Sequence, residues 1–316
     1  MTTWDLFTSC WRPDPLALFG CAAAIVLYWR KSAIPLYWRK SAIPLYWRRA
    51  SAIPLDILAG RARPGSRVRG APFVAGLLVL ALALLSPVGT LAEGYLFSAH
   101  MLQHLMLVLL VPPLLLLGLE PLDPRARAEG EGYTARAEGE GYTARAEGEG
   151  YTARRLPTLV SWGLGVGAMW LWHAPTLCNA ASQSALMHRV QEASLLAMGA
   201  AFWWPILAPR VGQRLPPLGG IVYLFSACVA CTLLGIAITF SPVEVCSVFA
   251  HPVDRLGVMP LLRDGWGLTT ERDQQIGGLL MWVPACVVYG VAILAVLARV
   301  FQEATPASKQ SPSEVS

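Results

Sequence analysis

The feature that most constrains the fold is an apolar run from Phe97 to Leu119, which carries His100-Met-Leu-Gln-His104 near its start. The run is long enough to cross a bilayer as a helix and, apart from the two histidines, holds no formal charge. Two imidazoles four residues apart lie on one face of a helix, one turn above the other. Because ionisable groups inside a spanning helix are costly, we expect these histidines to face a partner, a cavity or a ligand.

The rest of the chain has the composition of a membrane protein. Of its 316 residues 55% are hydrophobic and only 14% are charged, whereas soluble domains carry about 25% charged residues. We therefore predict an all-α polytopic membrane protein, a single bundle of seven transmembrane helices surrounded by the lipid bilayer. The predicted spans cover residues 15–29, 71–88, 97–119, 157–178, 184–209, 220–240 and 276–301.

Two tandem nine-residue repeats lie between the predicted spans, one over residues 28–55 and the other over residues 127–153. Each unit of the first contains a proline and basic residues, which resist helix formation and membrane insertion. The Gly, Glu and Arg content of the second cannot bury a core. We interpret both arrays as lengthened loops, and the Ser- and Pro-rich tail over residues 302–316 as disordered.

Lysine and arginine residues fall mostly on one side of the predicted bundle. The loops after the first, third and fifth spans, together with the C-terminal end, hold twenty of the 25 residues. The opposite side holds four. The positive-inside rule therefore predicts an external N-terminus and a cytoplasmic C-terminus.

This topology brings six side chains to the extracytoplasmic surface, where we predict a metal site. The candidates are His100, His104, His173, His188, Glu192 and Asp273. Several imidazoles with a carboxylate suit copper, zinc or iron, and helices that offer two ligands to one metal use the spacing of the first two histidines.

Each of these candidates also has a structural alternative. A membrane histidine often hydrogen-bonds between helices, and His173 can belong to an interfacial belt of tryptophans. Glu192 can pair with Arg189 instead of a metal. Asp273 can cap the N-terminus of the seventh span, because aspartate accepts hydrogen bonds from free N–H groups there.

Sulfur-containing residues give weaker signals. Met101 and Met187 each follow or precede a histidine in sequence, but successive helical positions point apart, so we interpret both as packing residues. Cys178 and Cys246 are both predicted on the external side, where they could pair or bind copper. The Cys-x-x-Cys motif at Cys228 falls in the middle of a span, and buried thiols usually act as small apolar groups.

The sequence contains none of the common catalytic motifs. HExxH, GxSxG and a phosphate-binding loop are all absent, and no residue pattern indicates an activated nucleophile. We therefore predict a protein that is not an enzyme. The net charge of +5 does not indicate a nucleic-acid partner in so apolar a chain.

Taken together, these motifs resemble those of the CtaG-type cytochrome c oxidase assembly factors of bacteria. The matching stretches are Trp11-Arg-Pro-Asp-Pro-Leu16, His100-Met-Leu-Gln-His104 with Pro112-Pro113, Trp172-His-Ala-Pro175, His188 with Glu192, Phe202-Trp-Trp-Pro205, and Asp273-Gln-Gln-Ile-Gly-Gly-Leu-Leu-Met-Trp-Val-Pro284. The resemblance covers nearly the whole chain except the repeats and the tail. One departure is Ala193, where the family commonly has a histidine after the glutamate.

The resemblance implies a seven-helix protein of the bacterial inner membrane that helps to build an active cytochrome c oxidase. Its partners would be oxidase subunits, and its cofactor or cargo would be copper handled on the outer face. Two alternatives stay open. A membrane cytochrome would ligate haem through His104 with His173 or His188, and a copper transporter would need polar groups in the inner halves of the spans, which offer almost none.

Overall fold

The computed structural model describes residues 2–31, 70–119, 156–209 and 213–304, with residues 29–31 and 302–304 described by their backbone alone. Within these ranges all regular secondary structure is helical, in agreement with the predicted all-α class. The second repeat array lies outside the described residues, as do the tail beyond residue 304 and the first array beyond residue 31.

The helices run along the chain in the following order, with irregular turns at three places. They are α1 (Thr3–Ser9), α2 (Pro15–Lys31), α3 (Gly70–Leu85), α4 (Pro87–Ala92), α5 (Phe97–Leu105), a π-helical turn (Met106–Leu110), α6 (Val111–Gly118), α7 (Thr158–Trp172), α8 (Pro175–Gln183), α9 (Ala185–Leu207), α10 (Pro217–Thr239), a 3₁₀ turn (Ser247–Phe249), a second π-helical turn (Leu261–Gly265) and α11 (Thr270–Ala304).

Three described helical segments are long and apolar enough to cross a membrane. They are Phe97–Gly118, Pro217–Thr239 and Thr270–Phe301. Three further apolar helices are shorter, Pro15–Tyr28, Gly70–Leu85 and Thr158–Trp172, and α9 has 23 residues but is not among the candidates. The helices support a polytopic membrane protein, while the count of seven spans stays a prediction.

The histidine-bearing segment lies at the centre of the bundle. In the most apolar stretch of Phe97–Gly118, 67% of the residues are buried inside the protein, compared with 28% in Thr270–Phe301. A π-helical turn precedes Pro112 and Pro113, where the sequence predicts a kink, because proline lacks the N–H that continues the regular ladder. The central position means that α5 and its neighbours decide where the histidines point.

Prolines divide two of the predicted spans. The prediction of one helix over residues 157–178 differs from the structure, in which α7 ends at Trp172 and α8 begins at Pro175. The predicted span over residues 71–88 likewise ends at Leu85, and α4 follows from Pro87. Proline is tolerated in the first turn of a helix but cannot continue a preceding one, so each proline starts a new short helix.

One of the three glycines in α7 allows close helix packing. A Cβ on Gly165 would lie 2.6 Å from the Phe202 Cβ on α9, whereas Gly163 and Gly167 face open space. Between α10 and α11 the approach is equally close, because a Cβ on Gly235 would lie 2.6 Å from the Trp282 ring. These contacts hold the bundle together around α5.

The N-terminal helix covers the histidine-bearing end of the bundle. A capping box between Thr2 and Asp5 starts α1, and the hydrogen bonds from Thr2 lower the pKa of the Asp5 carboxyl. Leu6 and Cys10 of this helix belong to a separate apolar cluster, whose other buried members are Leu91, Ala92, Leu96, Ala99, Val258 and Leu262. The cluster joins α1 to α4, α5 and the loop before α11.

Candidate functional site

The structure brings four of the predicted site residues together as a group of imidazoles, here called the histidine cluster. Its members are His100, His104, His173 and His188. The ring centroids of His100 and His104 are 4.2 Å apart, those of His104 and His173 are 5.4 Å apart, and those of His100 and His188 are 5.8 Å apart. Each of the four residues is at most 5% exposed.

The local sequence explains how these rings meet. His100 and His104 are one turn apart on α5, as predicted from their spacing. His173 follows the last residue of α7, at the break that Pro175 imposes. His188 lies in the first turn of α9, which Ser184 caps by accepting a hydrogen bond from the Met187 N–H.

Backbone carbonyls orient two of the four rings. The Nδ1 of His100 is 3.1 Å from the carbonyl oxygen of Ala92, the last residue of α4. The Nδ1 of His173 is 2.5 Å from the carbonyl oxygen of Met169. A carbonyl only accepts hydrogen bonds, so each Nδ1 carries the proton and each Nε2 keeps its lone pair.

Several buried polar atoms of the cluster have no hydrogen-bond partner. They are Nε2 of His100, Nδ1 of His104 and both ring nitrogens of His188, of which Nε2 has only the Glu192 carboxylate beside it at 3.4 Å. The side-chain oxygen and nitrogen of Gln191 lie close to His104 without a hydrogen bond of good geometry. Buried polar groups in native proteins are nearly always paired, and an ordered water or an ion is an ordinary partner where no protein group reaches.

Met101 also belongs to this site, although the sequence analysis assigned it to packing. Its Sδ lies 3.0 Å from the Nε2 of His173. The prediction considered only its neighbour His100, from which Met101 does turn away. Met101 and His104 are three residues apart and therefore share a face of α5, the face that His173 approaches.

Glu192 joins the cluster through one carboxylate oxygen. Its Oε1 is 3.4 Å from the Nε2 of His188 and accepts a hydrogen bond of 2.9 Å from the Gln103 amide. Its Oε2 pairs with Arg189 at 3.0 Å, so the predicted alternative for Glu192 is also realised. Arg189 in turn forms an ion pair with Asp14, which comes from the segment before α2.

Asp273 has a different role from the imidazoles of the cluster. Its Oδ2 accepts a hydrogen bond from the Phe97 N–H at 2.8 Å, and its Oδ1 accepts one from the Ser98 N–H at 3.0 Å and one from the Ser98 hydroxyl at 2.5 Å. It therefore caps α5 rather than α11, the helix that contains it. With both oxygens engaged, it does not point a free oxygen at the cluster.

The sequence analysis missed Gln103, Gln191 and Asp14 as members of the site. Gln103 and Gln191 are 1% and 0% exposed. A detectable signal was present, because an uncharged polar residue inside an apolar span usually makes a contact across helices. Asp14 belongs to the Trp11–Leu16 stretch of the family resemblance, but its ion pair with Arg189, more than 170 residues further along the chain, has no local signal.

The cysteines fall into two groups. Cys178 of α8 and Cys246 form a disulfide, so of the two predicted alternatives for these residues pairing is the one observed. The bond ties the histidine end of the bundle to the loop before α11. Within the bundle, the Sγ of Cys228 on α10 lies 3.2 Å from the Sγ of Cys286 on α11.

In the described part of the chain, no three His, Cys, Asp or Glu side chains stand in an arrangement that could hold a metal ion. The spacing of the rings is nevertheless near what a metal requires. With metal–nitrogen bonds of about 2.0–2.1 Å and tetrahedral angles, imidazole centroids around one ion lie roughly 5 Å apart. The centroid distances of 4.2 Å between His100 and His104 and 5.4 Å between His104 and His173 lie on either side of this value.

Comparison with known proteins identifies one family. The sequence model of the cytochrome c oxidase caa3 assembly factor family matches residues 56–303, which is most of the chain and includes every residue of the histidine cluster. Residues 1–55, with α1, Asp14 and α2, precede the matched range. No curated protein and no solved structure matches the chain.

Proposed function

Because the chain belongs to the cytochrome c oxidase caa3 assembly factor family, as the sequence resemblance predicted, we propose that it assists oxidase assembly by holding copper as cargo at the histidine cluster. In this proposal the protein is a non-catalytic partner of the oxidase in the bacterial inner membrane. The cluster lies on the extracytoplasmic side. His100, His104 and His173 would bind the ion, with His188 and Met101 beside them.

The observation that carries the proposal is the orientation of His100 and His173. A histidine that binds a metal through one nitrogen typically donates its other N–H to a carbonyl or carboxylate, which fixes the ring and raises its basicity. Both residues have this arrangement with backbone carbonyls. A histidine that only joined two helices would have a partner for Nε2 as well, whereas the Nε2 of His100 has none.

The donor atoms favour copper over harder metals. Imidazole nitrogen suits copper, zinc, iron and nickel, and thioether sulfur adds a preference for Cu(I). The Sδ of Met101 touches the same His173 nitrogen that would face the ion. Bound copper would supply no catalysis here, and transfer to the oxidase needs only that the ion can leave.

Two independent features support an extracytoplasmic site. The distribution of lysine and arginine predicts that the N-terminal ends of the third and fifth spans face outward. The disulfide between Cys178 and Cys246 lies at that same end of the bundle, and disulfides persist in oxidising compartments rather than in the cytosol.

The two other functions considered from sequence receive no support from this geometry. The rings of His104 and His173 are buried with their centroids 5.4 Å apart, and the Met101 Sδ already contacts the His173 nitrogen that would face a haem iron. The polar groups that the cluster gathers lie at one end of the histidine helix, whereas a transporter needs them across the whole membrane.

The proposal is tested by titrating the purified protein with Cu(I) and Cu(II) against a competing chelator. We expect one copper per chain and no Soret absorption. His100→Ala should weaken binding by more than the roughly 10–100-fold that loss of a supporting hydrogen bond costs. His251→Ala is the matched control, because this histidine lies in an exposed loop. Unchanged affinity in His100→Ala, with the protein folded, would show that the cluster is not a copper site.

The same variants test the role in cells. His100→Ala and His104→Ala should each leave the protein in the membrane but reduce cytochrome c oxidase activity, and added copper should restore part of it by mass action. Full oxidase activity at normal protein levels would mean that the assembly role does not depend on the cluster.

A further inference from the structure

The histidine cluster is closed to solvent, so a cation that reaches it needs a path. The described part of the chain has a surface cleft of about 310 Å³, lined by Trp11, Arg12, Pro13, Asp14, Pro15 and Arg189, the last of which follows His188 in sequence. The cleft lies between the segment before α2 and the first turns of α9. It is the place where polar side chains connect the surface with the buried imidazoles.

Arg189 stands between this cleft and the cluster. Its side chain is 35% exposed and forms ion pairs with two carboxylates, Asp14 on the cleft side and Glu192 on the inner side. Both carboxylates are only 9% exposed. Arginine suits this position because its planar fork can bind two carboxylates at once.

Beyond Arg189 further polar groups lead inward. The Oε2 of Glu192 meets Arg189, and its Oε1 meets the Nε2 of His188 at 3.4 Å and the Gln103 amide at 2.9 Å. The ring of His188 is 5.8 Å from that of His100. Asp14, Glu192 and His188 thus form a series of cation-binding groups that leads from the cleft to the cluster.

The other approaches from the aqueous end are apolar or fixed by hydrogen bonds. The Phe249 ring packs on His100 at 5.3 Å, and the apolar cluster of α1 and the loop before α11 covers the start of α5. The segment before α2 is itself anchored, because the Arg12 N–H donates to Leu85 and the Arg12 side chain pairs with Glu93. The ion pairs of Arg189 are therefore the contacts that can open without unfolding.

We propose that Arg189 is a gate through which a copper ion enters and leaves the histidine cluster. In the closed state its guanidinium occupies the two carboxylates. When it swings into the cleft, Asp14 and Glu192 become free to bind the ion and pass it to His188. This inference rests on the proposed copper cargo and adds to it a route and a residue that controls the route.

The rates of copper association and dissociation distinguish a gate from two simpler roles of Arg189. If Arg189 only repelled cations, its removal would speed association and slow dissociation, and the affinity would rise. If it only anchored the segment before α2, its loss would lower stability without a matched change in the two rates. A gate lies on the path in both directions, so opening it speeds association and dissociation together and leaves the affinity unchanged.

The decisive variant is Arg189→Lys, which keeps the positive charge but loses the fork that holds two carboxylates. Binding of Cu²⁺ to the full-length protein in detergent is followed by quenching of tryptophan fluorescence after rapid mixing, and release is followed after mixing with excess chelator. We expect both rates to rise roughly threefold or more, the change that loss of a partly exposed ion pair produces. Arg272→Lys is the control, since Arg272 lies on α11 and bonds only to nearby loop atoms.

A second variant breaks the same contacts in another way. Arg189→Gln removes both ion pairs and leaves Asp14 and Glu192 intact, so both rates should rise again, and it remains available if Arg189→Lys fails to fold. If the wild type binds copper and both variants show the same rates as the wild type, the gate is refuted but the copper site is not. If the wild type binds neither Cu²⁺ nor Cu⁺, the proposed cargo is wrong and the gate falls with it.

Discussion

The cap that Asp273 provides for the histidine helix makes a strong prediction for stability. The carboxylate is 1% exposed and accepts three hydrogen bonds, from the Phe97 N–H, the Ser98 N–H and the Ser98 hydroxyl. It also lies at the positive end of the α5 dipole, which favours a negative charge. Asp273→Ala removes all three acceptor contacts at once and leaves the donors buried.

The magnitude follows from those contacts. A buried donor left without a partner costs about 1–3 kcal/mol, and losses within one small network overlap rather than add. We therefore expect Asp273→Ala to lower the free energy of unfolding by about 3–5 kcal/mol. Asp273→Asn keeps one acceptor oxygen but loses the charge, and should cost about 1–2 kcal/mol.

The free energy of unfolding can be measured by titrating the purified protein in mixed micelles with denaturing detergent and following its helical circular dichroism. Glu271→Ala is the matched control, because Glu271 lies in the same first turn of α11 but is exposed, and it should change the free energy by less than about 0.5 kcal/mol. Equal midpoints for Asp273→Ala and the wild type would refute the assignment of Asp273 as the cap of α5.

Two further predictions test the topology and the helix packing. A tag inserted after Gly257 should be accessible from outside intact cells, and a reporter fused after Lys309 should be cytoplasmic. The reverse pattern would place the histidine cluster on the cytoplasmic side and contradict the proposed function. Mild oxidation should join Cys228 to Cys286, because their Sγ atoms are 3.2 Å apart, while Cys21 stays free. Mass spectrometry of the digest would detect this disulfide, and its absence would contradict the pairing of α10 with α11.

The clustering of the histidines could be predicted from the sequence because it depends on few variables. The apolar runs and the positively charged loops give each span a direction across the membrane. The position of His100, His173 and His188 along each span then gives the membrane surface near which each histidine lies. The family resemblance rested on the same residues and is confirmed. In both cases the information is local to each span, and no knowledge of helix packing is needed.

The partners of those histidines could not be predicted in the same way. Asp273 is more than 170 residues from the helix that it caps, and Asp14 is as far from Arg189. Either aspartate has a reasonable local role, as a cap of its own helix or as a loop residue. Asp14 makes both kinds of contact, since its Oδ1 accepts hydrogen bonds from the Leu16 and Ala17 N–H groups while its Oδ2 pairs with Arg189. For Asp273, only the way in which α5 and α11 come together gives it the role of capping α5.

Met101 shows why reasoning about helix faces fails at the centre of a bundle. An amphipathic helix has an inside and an outside, so a residue that turns away from one functional group turns towards lipid or water. In α5, however, all residues from Phe97 to Leu105 except Leu102 are buried. A central helix has neighbours on every side, and a side chain that leaves one partner meets another. Met101 leaves His100 and meets His173, and the thioether thereby joins the one set of donors that the proposed copper site requires.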